Sequence, residues 1–396
     1  MEYTFSKRMQ NIRPSAGESI LKLMGTPGLI KFSGGNPAGE AFDVADIRAI
    51  SDELLAEKPG EVLQYSVTEG CAALREQAKA FFNRRDTRVA EGDALVVTSG
   101  SAQIMDLLGK VLCDPGDRVL VEGPTFLCAI SAFESNGAVV ESVPLLEDGV
   151  DLEILEQKLA RKPTPKIFYC IPDFNNPTGR TTSLAKRQAI CKLAARYGVV
   201  VLEDNPYGEL RFDGEDLPAI KSFDTAGGVV YAGSFSKIIA PGIRVAVMAA
   251  PPAIAAQVCK AKLVDDVHTV VWSQLLVAEV LRRKNMDEYI ANLRGIYGRK
   301  CGVMQAAIEA AFPADVRYTV PQGGMFWWVE LPDRIPMEAF VQKALAAGVA
   351  LVPGSAFCTP DAAPCNAFRM NFSTPEDGEI QRGIALLGAL MRSWGE

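Results

Sequence analysis

Between Gly198 and Asp204 the chain reads Gly-Val-Val-Val-Leu-Glu-Asp, an unbroken apolar run that ends in two carboxylates. A strand with one wet face alternates apolar and polar side chains, whereas continuous hydrophobicity suits a parallel strand covered on both faces. Short runs of the same kind recur at Ala94–Val97, Arg118–Glu122, Lys166–Ile171 and Gly228–Ala232. Between them lie helical spacings, Ile104, Leu107, Leu108, Val111 and Leu112 in one case, and the segments 152–159 and 184–197 in others. Strands alternating with helices predict an α/β fold around a mostly parallel sheet. Ligands of such sheets bind outside the carboxyl ends of the strands, so the residues just after each run are the candidates for function.

At 396 residues and 48% hydrophobic content the chain can bury a substantial core and form two or three domains. A net charge of −7 excludes a nucleic-acid surface, and short basic runs such as Lys186-Arg187 and Arg282-Arg283-Lys284 read as solvated helix faces or ends. No apolar stretch reaches the ~18 residues of a membrane span, and Met1–Gln10 is polar, so a cytoplasmic protein is expected. Most of the nine cysteines, none in a Cys-x-x-Cys pair, read as buried thiols of a reducing compartment. The single histidine, His268, excludes multi-histidine metal sites and reads as a packing or hydrogen-bonding residue.

The run Gly228–Ala232 leads into Ser234-Phe-Ser-Lys237, with Arg244 seven residues beyond. A lysine becomes nucleophilic toward carbonyls where neighbouring cations or desolvation disfavour its ammonium form, and Ser234, Ser236 and Arg244 can hold an anion such as a phosphate. Together they point to an aldehyde cofactor that carries a phosphate. Thr98-Ser-Gly-Ser101 turns a strand into a helix, so Gly100, Ser101 and Ala102 form a second phosphate cradle at a helix start, although many α/β folds bind nothing there. No nucleotide fingerprint is present. Asp204 ends its strand; Asn176 sits in the turn Asn-Pro-Thr-Gly; Phe126 follows Gly123-Pro-Thr, where its ring can stack or simply fill the core. Gly35 lies in a glycine-rich loop, 34–39, and Arg369 in the strand pattern 368–373, where it is either a carboxylate fork or a salt-bridged surface arginine.

Ser-x-Ser-Lys followed by Gly-x-Arg over 234–244 resembles the class I/II aminotransferases of fold type I, which use pyridoxal 5′-phosphate, and the resemblance extends over the chain to their 2-aminoadipate/kynurenine branch. It implies that Lys237 binds the cofactor covalently and moves the substrate proton, that Asp204 keeps the pyridine nitrogen protonated, and that Asn176 and Tyr207 hold the 3′-oxygen. Phe126 takes the stacking position; Gly100, Ser101, Ala102, Ser234, Ser236 and Arg244 hold the phosphate, joined by Tyr65 of a partner subunit. Arg369 receives the substrate α-carboxylate beside Gly35 and Asn176. The implied organisation is an N-terminal arm (1–39), a large domain (40–285), a small α+β domain (286–396) and a homodimer with shared sites. The expected reaction is amino transfer from an amino acid to a 2-oxo acid. The same residues serve β-elimination or decarboxylation, and an aminotransferase-like ligand sensor needs an N-terminal DNA-binding domain for which too few residues precede the core.

The branch places an arginine in the arm for a distal carboxylate, where this chain reads Ser15-Ala-Gly-Glu-Ser-Ile20, with Glu18 at the arginine position. A carboxylate there repels an acidic side chain, so a neutral or aromatic donor with 2-oxoglutarate as acceptor is expected, unless Arg8 or Arg13 supplies the charge.

Overall fold

The computed structural model describes residues 2–6, 9, 27–363 and 365–394. After a two-residue strand β1 (Ile30–Lys31) come helices α1 (Val44–Glu57) and α2 (Ala72–Phe82). Strands and helices then alternate: β2 (Ala94–Thr98), α3 (Ser101–Leu112), β3 (Arg118–Gly123), α4 (Leu127–Ser135), β4 (Val139–Leu146), β5 (Gly149–Val150) and α5 (Leu152–Ala160). They continue with β6 (Ile167–Cys170), α6 (Leu184–Tyr197), β7 (Val200–Asn205), β8 (Val229–Ser234) and β9 (Ala246–Ala250). The order in the sheet is β2-β9-β8-β7-β6-β3-β4-β5. Its middle pairings, β8–β7, β7–β6, β6–β3 and β3–β4, are parallel, while β9 opposes both neighbours and β5 opposes β4.

Successive residues of the middle strands enter two separate cores, which is why their sequences do not alternate. Val119, Val121, Tyr169, Leu202 and Val230 point into one cluster, and Leu120, Phe168, Cys170, Val201 and Val229 into the other. Each such aliphatic side chain contributes about 1.5–3 kcal/mol by leaving water.

Two helices follow, α7 (Pro252–Asp265) and α8 (Val271–Arg283), then the long α9 (Met286–Ala311). Beyond it stand β10 (Arg317–Thr319), β11 (Phe326–Glu330), α10 (Met337–Ala346), β12 (Val349–Ala350), β13 (Val352–Pro353), β14 (Ala367–Asn371) and α11 (Asp377–Arg392). An antiparallel sheet of order β10-β11-β14-β13 forms here, and β12 pairs in parallel with β1.

Three local features depart from what apolar spacing and cap residues suggest. The apolar pattern over 254–281 is divided at 266–270, where Val267 takes φ 64, and His268 lies in that break. Ser183 occupies the cap position of α6 with extended backbone, yet its hydroxyl bonds the Asp148 carboxylate (3.3 Å) instead of the helix start. Helices α1 and α4 were not legible as elements, the first because its buried face is only Ile50 and Leu54, the second because its apolar residues run on from a turn. A short helix expected over 18–24 lies outside the described residues. Among the described residues no helix is long and apolar enough to cross a membrane.

Candidate active site

The parallel strands end on a cavity of about 620 Å³, closed on the far side by β11 and β14. Asp204 arrives there because β7 carries it to the end of a wholly buried strand; it is 1% exposed. Desolvation raises its pKa to about 7, against the lowering influence of the Tyr169 and Ser101 hydroxyls. Tyr169 donates to Oδ2 at 2.9 Å, whereas Oδ1 has no hydrogen-bond partner.

Lys237 follows β8 by three residues, and its Nζ donates to the Gly35 carbonyl at 2.6 Å. Burial first, then the charges of Arg369 and Arg244, lower its pKa to about 8. Such an amine is partly neutral near pH 7, the form that attacks a carbonyl. Ser234 and Ser236, both nearly buried, line the same wall, and the Ser236 N–H donates to the Ser234 hydroxyl (3.3 Å).

Opposite them Ser101 and Ala102 open α3, whose first amides lack partners within the helix. Gly100, at φ 86, does not line the cavity; it makes room for Arg244, because a Cβ there would lie 2.1 Å from the guanidinium. Arg244, itself at φ 52, donates to the carbonyls of Ser99 (3.1 Å) and Pro241 (3.2 Å) and so lies across the helix start.

Asn176 reaches the cavity through a turn held from below. The buried Glu122, raised to about 8 by desolvation, accepts from the Ile171 N–H (2.9 Å) and the Asn175 amide (2.6 Å), and Asn175 in turn accepts from both Thr178 donors. Tyr207 is buried, its phenol pushed well up by desolvation, with its ring edge-on to Phe326 at 5.7 Å. Phe126, the residue before α4, is half-buried on the cavity wall, followed by Leu127 and Cys128.

Arg369 lies in β14 between two rings, 4.2 Å from the Phe326 centroid and 5.0 Å from that of Phe357. Its guanidinium donates to Asn176 Oδ1 (2.8 Å) and to the carbonyls of Ser33 (2.8 Å) and Gly34 (3.2 Å), while Nε has no partner. Burial lowers its pKa to about 10.

Of the described residues to which the family resemblance assigns a cofactor or substrate role, all but two line this cavity: Gly100 backs Arg244, and Tyr65 stands elsewhere, 81% exposed, with its ring edge-on to His268 at 5.9 Å. Cys128, Phe326 and Tyr169 were missed. None carried a signal, since each reads in sequence as one more apolar residue of its segment. Glu18, Arg8 and Arg13 lie outside the described residues.

This donor set fits pyridoxal phosphate. The unpartnered Oδ1 of Asp204 suits a pyridinium N–H, the desolvated Lys237 amine suits an aldehyde, and two serines, a helix start and Arg244 suit a phosphate dianion.

Comparison with known proteins agrees. The profile of the family described as Aminotransferase class I and II matches residues 27–387. The chain is 36% identical to an aromatic-amino-acid aminotransferase of Thermococcus litoralis, over 99% of this chain and 94% of that one. Among solved structures it is similar to the kynurenine aminotransferase of Pyrococcus horikoshii in complex with PMP (TM-score 0.94, 35% identity, 99% and 98% covered). It is also similar to the alpha-aminoadipate aminotransferase of Thermus thermophilus complexed with N-(5′-phosphopyridoxyl)-L-leucine (TM-score 0.91, 36% identity, 98% and 97% covered).

Proposed function

The chain belongs to the class I and II aminotransferases, and from that premise we propose its donor class and the part each cavity residue plays. It is a pyridoxal-phosphate-dependent enzyme that moves an amino group from an amino acid to a 2-oxo acid. The bound cofactor supplies a ring that draws electrons from the substrate Cα and so acidifies its proton.

Lys237 would hold the cofactor through Nζ and, when free of it, would take the Cα proton; desolvation and the neighbouring arginines favour its neutral form. Asp204, through Oδ1, keeps the ring nitrogen protonated, because a buried carboxylate favours a cation beside it. Asn176 and Tyr207 would hold the ring oxygen, and Phe126 would stack on the ring. Ser101, Ala102, Ser234, Ser236 and Arg244 bind the phosphate, with Gly100 keeping the path of Arg244 clear. Arg369 takes the substrate α-carboxylate as a planar fork, beside Gly35 and Asn176. The single observation that carries this reading is the pairing, in one cavity, of a desolvated lysine with a buried carboxylate oxygen that has no partner. Its test is borohydride reduction of the holoenzyme. The cofactor should be trapped on Lys237 and absent from Lys237→Ala; trapping on another lysine sinks the assignment. Asp204→Ala should still bind cofactor but lose most turnover.

The donor is neutral or aromatic and the acceptor 2-oxoglutarate. Apolar groups at the cavity wall, Phe126, Leu127, Ile171 and Phe326, support this, as does Glu18 in the arm. A panel of donors against 2-oxoglutarate decides it, and preference for 2-aminoadipate or glutamate over leucine, methionine and aromatic residues overturns it. We further propose a large domain over 40–285, a small domain over 286–396 joined by the arm through β1–β12, and a cytoplasmic homodimer in which the exposed Tyr65 serves the partner's phosphate.

A further inference from the structure

We propose that Tyr169 is a positioning residue for Asp204: by occupying Oδ2 it turns Oδ1 toward the cavity and holds the carboxylate in the orientation that its cofactor contact requires. The inference rests on the preceding reading of Asp204. Register explains how the contact arises. Tyr169 on β6 pairs with Leu202 on β7, and Asp204 lies two residues farther along, on the same face. Two residues of strand advance about 7 Å, a distance that a phenol leaning along the strand can span. The resulting hydrogen bond is 2.9 Å, with the tyrosine fully buried.

Two further features make this a directed arrangement. The Tyr169 ring stands edge-on to Phe133, at 6.2 Å and 65°, and the buried phenol holds its proton well beyond neutral pH, so it stays a donor. The two carboxylate oxygens are therefore divided: one is fixed by β6, and the other is left for the cavity that Asp204 lines. A carboxylate without the Tyr169 bond keeps only the smaller influence of the Ser101 hydroxyl, can rotate about its terminal torsion, which has broad wells, and loses that orientation. Tyr169 itself does not line the cavity, so its effect passes through Asp204.

The test is a double-mutant cycle on the holoenzyme with Tyr169→Phe, Asp204→Asn and their combination, reading the dissociation constant for pyridoxal phosphate together with kcat and KM separately. The difference between wild type and Asp204→Asn tests the underlying reading; the difference between wild type and Tyr169→Phe tests this residue alone. We expect Tyr169→Phe to weaken cofactor binding and to lower kcat by about tenfold each, as for one hydrogen bond to a charged group, with the donor KM within about twofold. In the Asp204→Asn background the same change should shift cofactor affinity by less than about twofold, since the charge on which the hydroxyl acts is gone. Cofactor affinity and kcat within twofold of wild type, or equal losses in both backgrounds, overturn the proposal. Should Tyr169→Phe alone fail to fold while the double variant folds, the hydroxyl serves the carboxylate and the proposal stands; if neither folds, the residue is purely structural and the proposal falls.

Discussion

Arg369 shows how much one side chain is asked to do: it is buried between two rings, bonded to an amide and two carbonyls, and still offers an unpartnered Nε. Arg369→Ala should raise the KM of amino and oxo acids together, by roughly 30-fold or more for a lost bidentate contact of about 2–4 kcal/mol, and Arg369→Lys should recover little of it. Steady-state kinetics with both substrates checks this; an effect on one acid alone points to another anchor. Lys237 makes a prediction about stability. Its folded pKa, about 8, lies below the ordinary 10.5. Below pH 8 both folded and unfolded states are protonated and the folded cofactor-free protein carries the full penalty of burying the charge. Between pH 8 and 10.5 only the unfolded state binds the proton, so stability rises with pH through that window. The gap corresponds to at most about 3 kcal/mol. Cofactor-free Lys237→Met should therefore unfold at higher denaturant than cofactor-free wild type at pH 7, with the difference shrinking by pH 10. Lys237 was legible from sequence because it sits in a short motif after a conspicuous apolar run, whereas Arg369, inside a strand pattern, took its role only from the family resemblance. Tyr169 was not legible: inside a buried strand a tyrosine and a phenylalanine give the same hydropathy pattern, and only the neighbouring strand's register reveals the hydroxyl's partner.

At the scale of elements, β8 aims Lys237 by packing as much as by direction. Gly233 touches the ring of Phe82, where an added Cβ would come within 2.2 Å of it, and Phe82 stacks on Phe235 at 5.7 Å and 17°. Gly233→Ala should displace both rings and, with them, the loop that carries Lys237. Overpacking of this kind costs about 1–3 kcal/mol, and kcat should fall in step with the denaturation midpoint; unchanged melting and turnover would show that Phe82 yields freely. Strands and helices with strong periodicity were read to within a few residues, as 184–197 was for α6. The break between α7 and α8 escaped because apolar spacing continues across it, although the backbone turns at Val267.

For the whole molecule, the decisive question is where Tyr65 acts. Mixing Lys237→Ala and Tyr65→Ala subunits creates hybrid dimers; if Tyr65 serves the partner, each hybrid holds one fully intact site. Random association should then restore about a quarter of wild-type sites, above either parent alone. Should Tyr65 serve its own subunit, no site in the mixture is intact and activity stays at the average of the two parents. Sequence could not decide this, since a residue that completes a neighbour's site resembles any exposed aromatic on its own chain.

The segment 33–36 has a consequence of another kind. Four successive carbonyls are each held by a side chain: Ser33 and Gly34 by Arg369, Gly35 by Lys237, and Asn36 by Ser373 (2.6 Å) and Thr374 (3.1 Å). The strap thus offers two of its own oxygens to Arg369, as an intramolecular rival to the incoming carboxylate. Substrate affinity is then a contest between two ligands, one tethered and one free, and a change that loosens the strap from its Asn36 end should strengthen binding.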